Sequence, residues 1–141
     1  MNKQRLLTLA AHLRDQVPEE DFSMATWAGN GKKPWKGTAV LSCGVAGCAM
    51  GYATTIPEFY DLGLHLASGG YRKDRAVISF KGHIGYQAAM ALFEIDDLQS
   101  DWLFNPDRYN KGVTPTEVAE RIEKIVADEG VCSEWDEDEE D

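Results

Sequence analysis

A serine followed by a cysteine and a glycine-rich stretch gives this chain its first residue with nucleophilic potential. Ser42 is placed to cap a helix beginning at Cys43, and a thiol at a helix N-terminus feels partial positive charge that favours the thiolate. A thiolate nucleophile needs a proton carrier, and His65 and His83 flank a predicted hairpin. Cys43 with His65 or His83 would make a cysteine-dependent hydrolase or transferase. No third residue stands out to orient the imidazole, and a small free thiol among glycines is also what close packing asks for. Packing is the expected role of Cys43, and the cysteine enzyme is the alternative.

The other chemistries have less to stand on. Cys43 and Cys48 are five residues apart, outside the two-to-four spacing of zinc knuckles. On one helix, at about 100° per residue, they point roughly 140° apart. Cys132, His12, His65 and His83 fall at no ligand spacing, so no metal and no cofactor are expected. Gly44, Gly47 and Gly51 are not followed by the Gly-Lys-Ser/Thr of a phosphate loop. They would instead leave room for a close helix contact or a small-ligand pocket. Lys32, Lys33 and Lys36, then Arg72, Lys73 and Arg75, lie near Trp35 and Tyr71, the composition of a weak nucleic-acid groove.

Where the charge sits argues against direct nucleic-acid binding. The formal net charge of −10 comes from 24 acidic and 14 basic residues. Residues 128–141 hold nine of the acids and no base, which leaves residues 1–127 with 15 acids against 14 bases. The chain therefore divides into a nearly neutral globular domain, 1–127, and an acidic tail, 128–141, disordered by composition. Within the tail Trp135, Asp136, Glu137, Asp138 and Glu139 offer a stacking ring among carboxylates, a lure for a basic groove on another protein. Trp35 and Arg72 are the first candidates for a second contact on the body.

Chain length limits the elements that can position these residues. At 141 residues, 43% hydrophobic and 27% charged, the chain can bury one core without disulfides, and its three cysteines are expected as thiols. No apolar run reaches the roughly 20 residues of a membrane span, and the first residues lead into no signal-peptide pattern. A cytoplasmic protein is expected. Leu6, Leu9, Ala10, Leu13 and Val17 recur at helical spacing over residues 3–16, with Pro18 as a stop. Residues 43–53, apolar on every side, predict a buried central helix. Pro57 opens a short helix ending near Gly63. Residues 64–67 and 75–80 alternate as an antiparallel hairpin. Helical patterns return over residues 83–94, then after Asp96, which caps a helix carrying Leu98, Trp102, Leu103 and Phe104. Thr114, Pro115 and Glu117 announce a last helix with a capping box, and Glu117–Arg121 and Glu120–Lys124 are expected as outward pairs. The fold class expected is α+β, a mostly helical single domain with a small antiparallel β-hairpin.

This order of motifs resembles a family of small proteins from bacteria and their phages. Its Cys-Gly-x-x-x-Cys-x-x-Gly centre is matched by Cys43, Gly44, Cys48 and Gly51, followed by Pro57 and Phe59. Its Gly-x-x-Ala-Ala-x-x-x-Phe segment is matched by Gly85, Ala88, Ala89 and Phe93, and its Leu-Phe pair by Leu103 and Phe104. Its closing Thr-Pro-x-x-Val-Ala-x-Arg-Ile is matched by Thr114, Pro115, Val118, Ala119, Arg121 and Ile122. The resemblance implies a phage or mobile-element context and supplies no catalytic residue. With it, the expectation is a non-enzymatic accessory protein that binds and modulates or inhibits a host protein, such as a defence or nucleic-acid-processing factor with a basic groove.

Overall fold

The first helix begins where Asn2 accepts a hydrogen bond from the Arg5 amide, and it runs over Lys3–Gln16 (α1). It stops at Val17, whose extended backbone is what a following proline imposes. Its buried face is Leu6, Leu9, Ala10 and Leu13, as the spacing predicts. Later helices are Ala49–Ala53 (α2), Pro57–Leu62 (α3), Tyr86–Phe93 (α4), Asp97–Phe104 (α5) and Pro115–Ala127 (α6), and the strands are His65–Ser68 (β1), Ala76–Phe80 (β2) and His83–Ile84 (β3). The structure, a computed structural model, describes residues 1–17, 19, 22–23, 37–38, 48–68, 76–109 and 113–129. The protein is a mostly helical α+β domain with a small antiparallel sheet. Among the described residues no helix is long and apolar enough to cross a membrane.

Helices α1 and α6 pack against one another in a core to which the other elements also contribute. Val118, Ala119, Ile122 and Ile125 of α6 are buried against the apolar face of α1. Arg14 pairs with Glu123 at 2.6 Å, and Lys3 pairs with Glu129, so the start of α1 lies at the end of α6. The two helices are therefore antiparallel. Asp128 caps α6, and this pairing keeps Glu129 with the folded body. At the other flank the Asn2 amide donates to the Phe93 carbonyl at 2.7 Å, and Arg5 Nη1 donates to the Leu92 carbonyl at 2.8 Å. These bonds satisfy carbonyls that the end of α4 leaves open. Arg5 is thus half-buried and bonded.

The sheet has order β1-β2-β3, with Leu66 opposite Ile78 and Phe80 opposite His83. Ala76, Ile78 and Phe80 face the core and alternate with half-buried Val77 and Ser79. The third strand is a finding beyond the predicted hairpin. Lys81 and Gly82 take φ of 48° and 90°, the two positive values of a tight two-residue turn that suits strand twist. His83 and Ile84 pair back instead of starting a helix, because Gly85 at φ 61°, ψ −134° breaks the chain before Tyr86. Only glycine takes that backbone readily.

The predicted central helix is also corrected. Cys48 is extended, at φ −89° and ψ −176°, and is the N-cap of α2, so no helix runs continuously from residue 43 to residue 53. What holds is burial, since all five residues of α2 are buried. Residues 42–47, with the Ser42 cap and Cys43, lie outside the described residues.

His12 of α1 meets the turn after α2, with Nε2 at 2.7 Å from Thr55 Oγ1. Burial holds its imidazole below the ordinary 6.5. The folded chain then binds fewer protons than the unfolded chain near that pH. Stability from this group is present above about pH 6.5 and lost as pH falls through the lower folded value. Thermal melts from about pH 7.5 down to about pH 5.5 should therefore show a falling Tm, and His12→Gln should flatten the fall. An equal slope in the variant would place the titration elsewhere.

Candidate functional site

Helix α5 builds a surface site among the described residues. Asp96 accepts from the Gln99 amide at 2.8 Å and its own amide donates to Gln99 Oε1 at 3.0 Å, closing a capping box. From there the side chains turn by about 100° per residue. The face that enters the core carries Ser100, Leu103 and Phe104, and Ser100 is only 1% exposed. Moving round the helix, Asp97 and Asp101 follow, and Leu98 ends on the far side, 65% exposed. Tyr86, in the first turn of α4, closes the other wall. These five residues line an open cleft of about 340 Å³.

The polar groups of the cleft differ in how they are held. Asp101 is fixed, with Oδ2 accepting from Arg108 Nε and Oδ1 from Asn105 Nδ2, both at 2.6 Å. Asp97 has no hydrogen bond or ion pair among the described residues. Ser100 Oγ is buried and has no hydrogen-bond partner among them. An unanswered buried hydroxyl costs on the order of 1–3 kcal/mol. Burial pushes the Tyr86 phenol above its ordinary value, and the neighbouring acidic groups Cys48, Asp101 and Asp107 push it the same way. The cleft thus has an apolar wall, a negative flank and one unsatisfied hydroxyl. That combination suits a ligand that is apolar along its length and cationic at its tip.

Behind the cleft lies an arginine clamp. Arg121 of α6 turns inward and its Nη1 donates to the Trp102 carbonyl at 3.1 Å and the Arg108 carbonyl at 2.8 Å. Its guanidinium lies 3.9 Å from the ring centres of both Trp102 and Tyr109. Tyr109 donates its hydroxyl to the Leu103 carbonyl at 2.6 Å. Burial pushes that phenol well above its ordinary value, against a smaller opposing pull from Arg121. The expected outward Glu117–Arg121 pair is therefore replaced by a tie between α6 and α5, because two carbonyls and two rings hold the guanidinium more firmly than one exposed carboxylate.

The structure does not bring the two candidate histidines together. His65 pairs with Ser79 and Ser79 with Ile84, which puts His65 on one face of the sheet, while His83 shares the other face with Phe80. His65 Nδ1 is 3.0 Å from the Gly63 carbonyl oxygen, and His83 is exposed. Cys43, Trp35, Arg72, Trp135, Asp136, Glu137, Asp138 and Glu139 lie outside the described residues. Cys48 lies within them, at a helix N-cap but buried, and desolvation pushes its thiol up to about 11. A five-residue helix has too small a dipole to offset that burial. Native Cys48 should react with iodoacetamide on the order of a hundredfold more slowly than the same thiol in urea, as peptide mapping would show. Equal rates would mean that α2 opens readily.

The chain matches no family model, no curated protein and no solved structure. Sequence reasoning missed Tyr86, Asp97, Ser100 and Asp101. The signal that could have found them is the helical angle. With Leu103 and Phe104 inward, Leu98 has to face out and Ser100 in.

Proposed function

We propose that this chain is a non-enzymatic accessory protein that acts by binding another protein. In the phage or mobile-element setting that its motifs resemble, the target is a host protein with a basic surface. One observation carries the reading: the α5 cleft joins an exposed apolar residue, Leu98, to a negative flank and an unsatisfied hydroxyl. Ile84 and Tyr86, 59% and 39% exposed, add apolar surface just before and within the first turn of α4. Partly exposed apolar side chains rimmed by charge mark interaction surfaces on soluble domains. The acidic tail would supply long-range attraction to the same kind of partner, and the Trp135 ring a stacking contact.

The test is capture from a bacterial lysate by the immobilised full chain, with mass spectrometry and a salt series. One protein retained at a fixed stoichiometry is expected. Its retention should weaken as salt rises, since screening shortens from about 8 Å at physiological ionic strength to about 3 Å at 1 M. Removing residues 131–141 should lower affinity and flatten that salt dependence. Cys43→Ala should leave binding unchanged. Failure of the full chain to retain any protein at fixed stoichiometry would sink the reading, and loss of function in Cys43→Ala would favour the cysteine enzyme.

A further inference from the structure

We propose that the α5 cleft receives the side chain of an arginine on the partner protein. The source of that arginine rests on the protein-binding reading above, whereas the chemistry of the cleft stands on its own geometry. Three features select the occupant. Leu98 and Tyr86 offer apolar wall to an alkyl stem, and a planar guanidinium stacks on an aromatic ring more favourably than a compact, strongly hydrated ammonium. Asp97 makes the flank negative and has no competing partner among the described residues, and Asp101, paired with Arg108, adds carboxylate oxygens as acceptors. Ser100 Oγ, 1% exposed and without a hydrogen-bond partner among them, accepts an N–H that the folded chain does not supply. A carboxylate ligand would meet repulsion from Asp97, whose charge no described residue offsets, and a purely apolar one would leave the hydroxyl unanswered.

Arg108 shows why the site remains available. Its Nε is committed to Asp101 Oδ2 at 2.6 Å, and that bond holds the carboxylate at the edge of the cleft instead of filling it. Each oxygen of Asp101 retains a second lone pair, so an incoming guanidinium can share the carboxylate without displacing Arg108. The arrangement gives the partner's arginine a fixed acceptor, a freer one at Asp97 and a buried one at Ser100.

The probe is N-acetyl-arginine methylamide titrated into the full chain and followed by amide NMR, beside the citrulline and norleucine analogues. Saturable shifts at Leu98, Ser100 and Asp101 are expected with the arginine compound, in about the millimolar range typical of so small a ligand, and not with the neutral analogues. Ser100→Ala should weaken binding at least about tenfold while leaving Tm unchanged or slightly raised, because it removes an unsatisfied buried hydroxyl. Asp97→Asn should weaken it about two- to fivefold. Equal shifts with norleucine, or shifts scattered over exposed acids such as Glu129, would overturn the proposal. A captured partner indifferent to Ser100→Ala and Asp97→Asn would also overturn it, yet leave the protein-binding reading standing. Binding of the probe with no protein captured would reassign the cleft to a small ligand. Self-association abolished by Leu98→Ser would assign it to a second copy of the chain.

Discussion

Phe93→Ala is expected to lower the Tm by more than about 10 °C, since a loss of about 3–5 kcal/mol is typical for a fully buried phenylalanine. Phe93 is 0% exposed, and its ring meets Phe59 edge-on at 5.7 Å and stacks with Phe104 at 5.9 Å. It therefore joins α3, α4 and α5 at one point, and each ring pair adds about 0.5–1.5 kcal/mol beyond area burial. The alanine leaves a cavity that three helices would have to move together to close. Whole domains are stable by only about 5–15 kcal/mol, so this one change removes a large share. Phe93→Leu, which keeps most of the volume, should cost less than half as much. Chemical denaturation of both variants checks the ratio. Similar losses in the two would show that ring geometry outweighs volume, and a negligible loss in the alanine variant would mean that this corner of the core is loosely packed.

The elements that were legible from the sequence are those whose signals are local. Thr114, Pro115 and Glu117 define the start of α6 without reference to anything distant, and Thr114 Oγ1 does accept from the Glu117 amide at 3.2 Å. The same holds for Asp96 before α5 and for Leu6, Leu9 and Leu13 along α1. What was not legible depends on partners far along the chain. Two residues have no detectable period, so β3 follows only from the positive φ values at Lys81, Gly82 and Gly85. Leu98 reads as core by type, and only the inward turn of Leu103 and Phe104 sends it to the surface. Arg121 has a glutamate four residues before it, which is a sound local rule, but the carbonyls of Trp102 and Arg108 lie 19 and 13 residues away and win. The cleft was hidden for the same reason, because its wall comes from α4 and its acids from α5.

Arg121→Ala is expected to cost about 3 kcal/mol, because hydrogen bonds from a charged donor contribute about 1.5–3 kcal/mol each and are not additive. The loss reaches beyond those two bonds. Trp102 points away from the face carrying Leu103 and Phe104, yet it is only 9% exposed, and the guanidinium over its ring is part of what covers it. Removing the arginine uncovers Trp102 and Tyr109 together and leaves the Trp102 and Arg108 carbonyls without their donor. Arg121→Lys keeps the charge but loses the planar fork and the two-sided stacking, so it should recover less than half of the loss. The consequence for the cleft follows from Arg108. Its carbonyl is held by Arg121 while its own side chain holds Asp101, so loosening the clamp frees the carboxylate that lines the cleft. In Arg121→Lys the arginine probe should bind more weakly at a temperature where the variant is still folded, and tryptophan fluorescence should shift to the red as Trp102 meets water. A variant that melts within about 2 °C of the parent would show that Tyr109 alone closes this side. If it also bound the probe at full strength, Asp101 would be positioned by its bond from Asn105, and the clamp would be structural only.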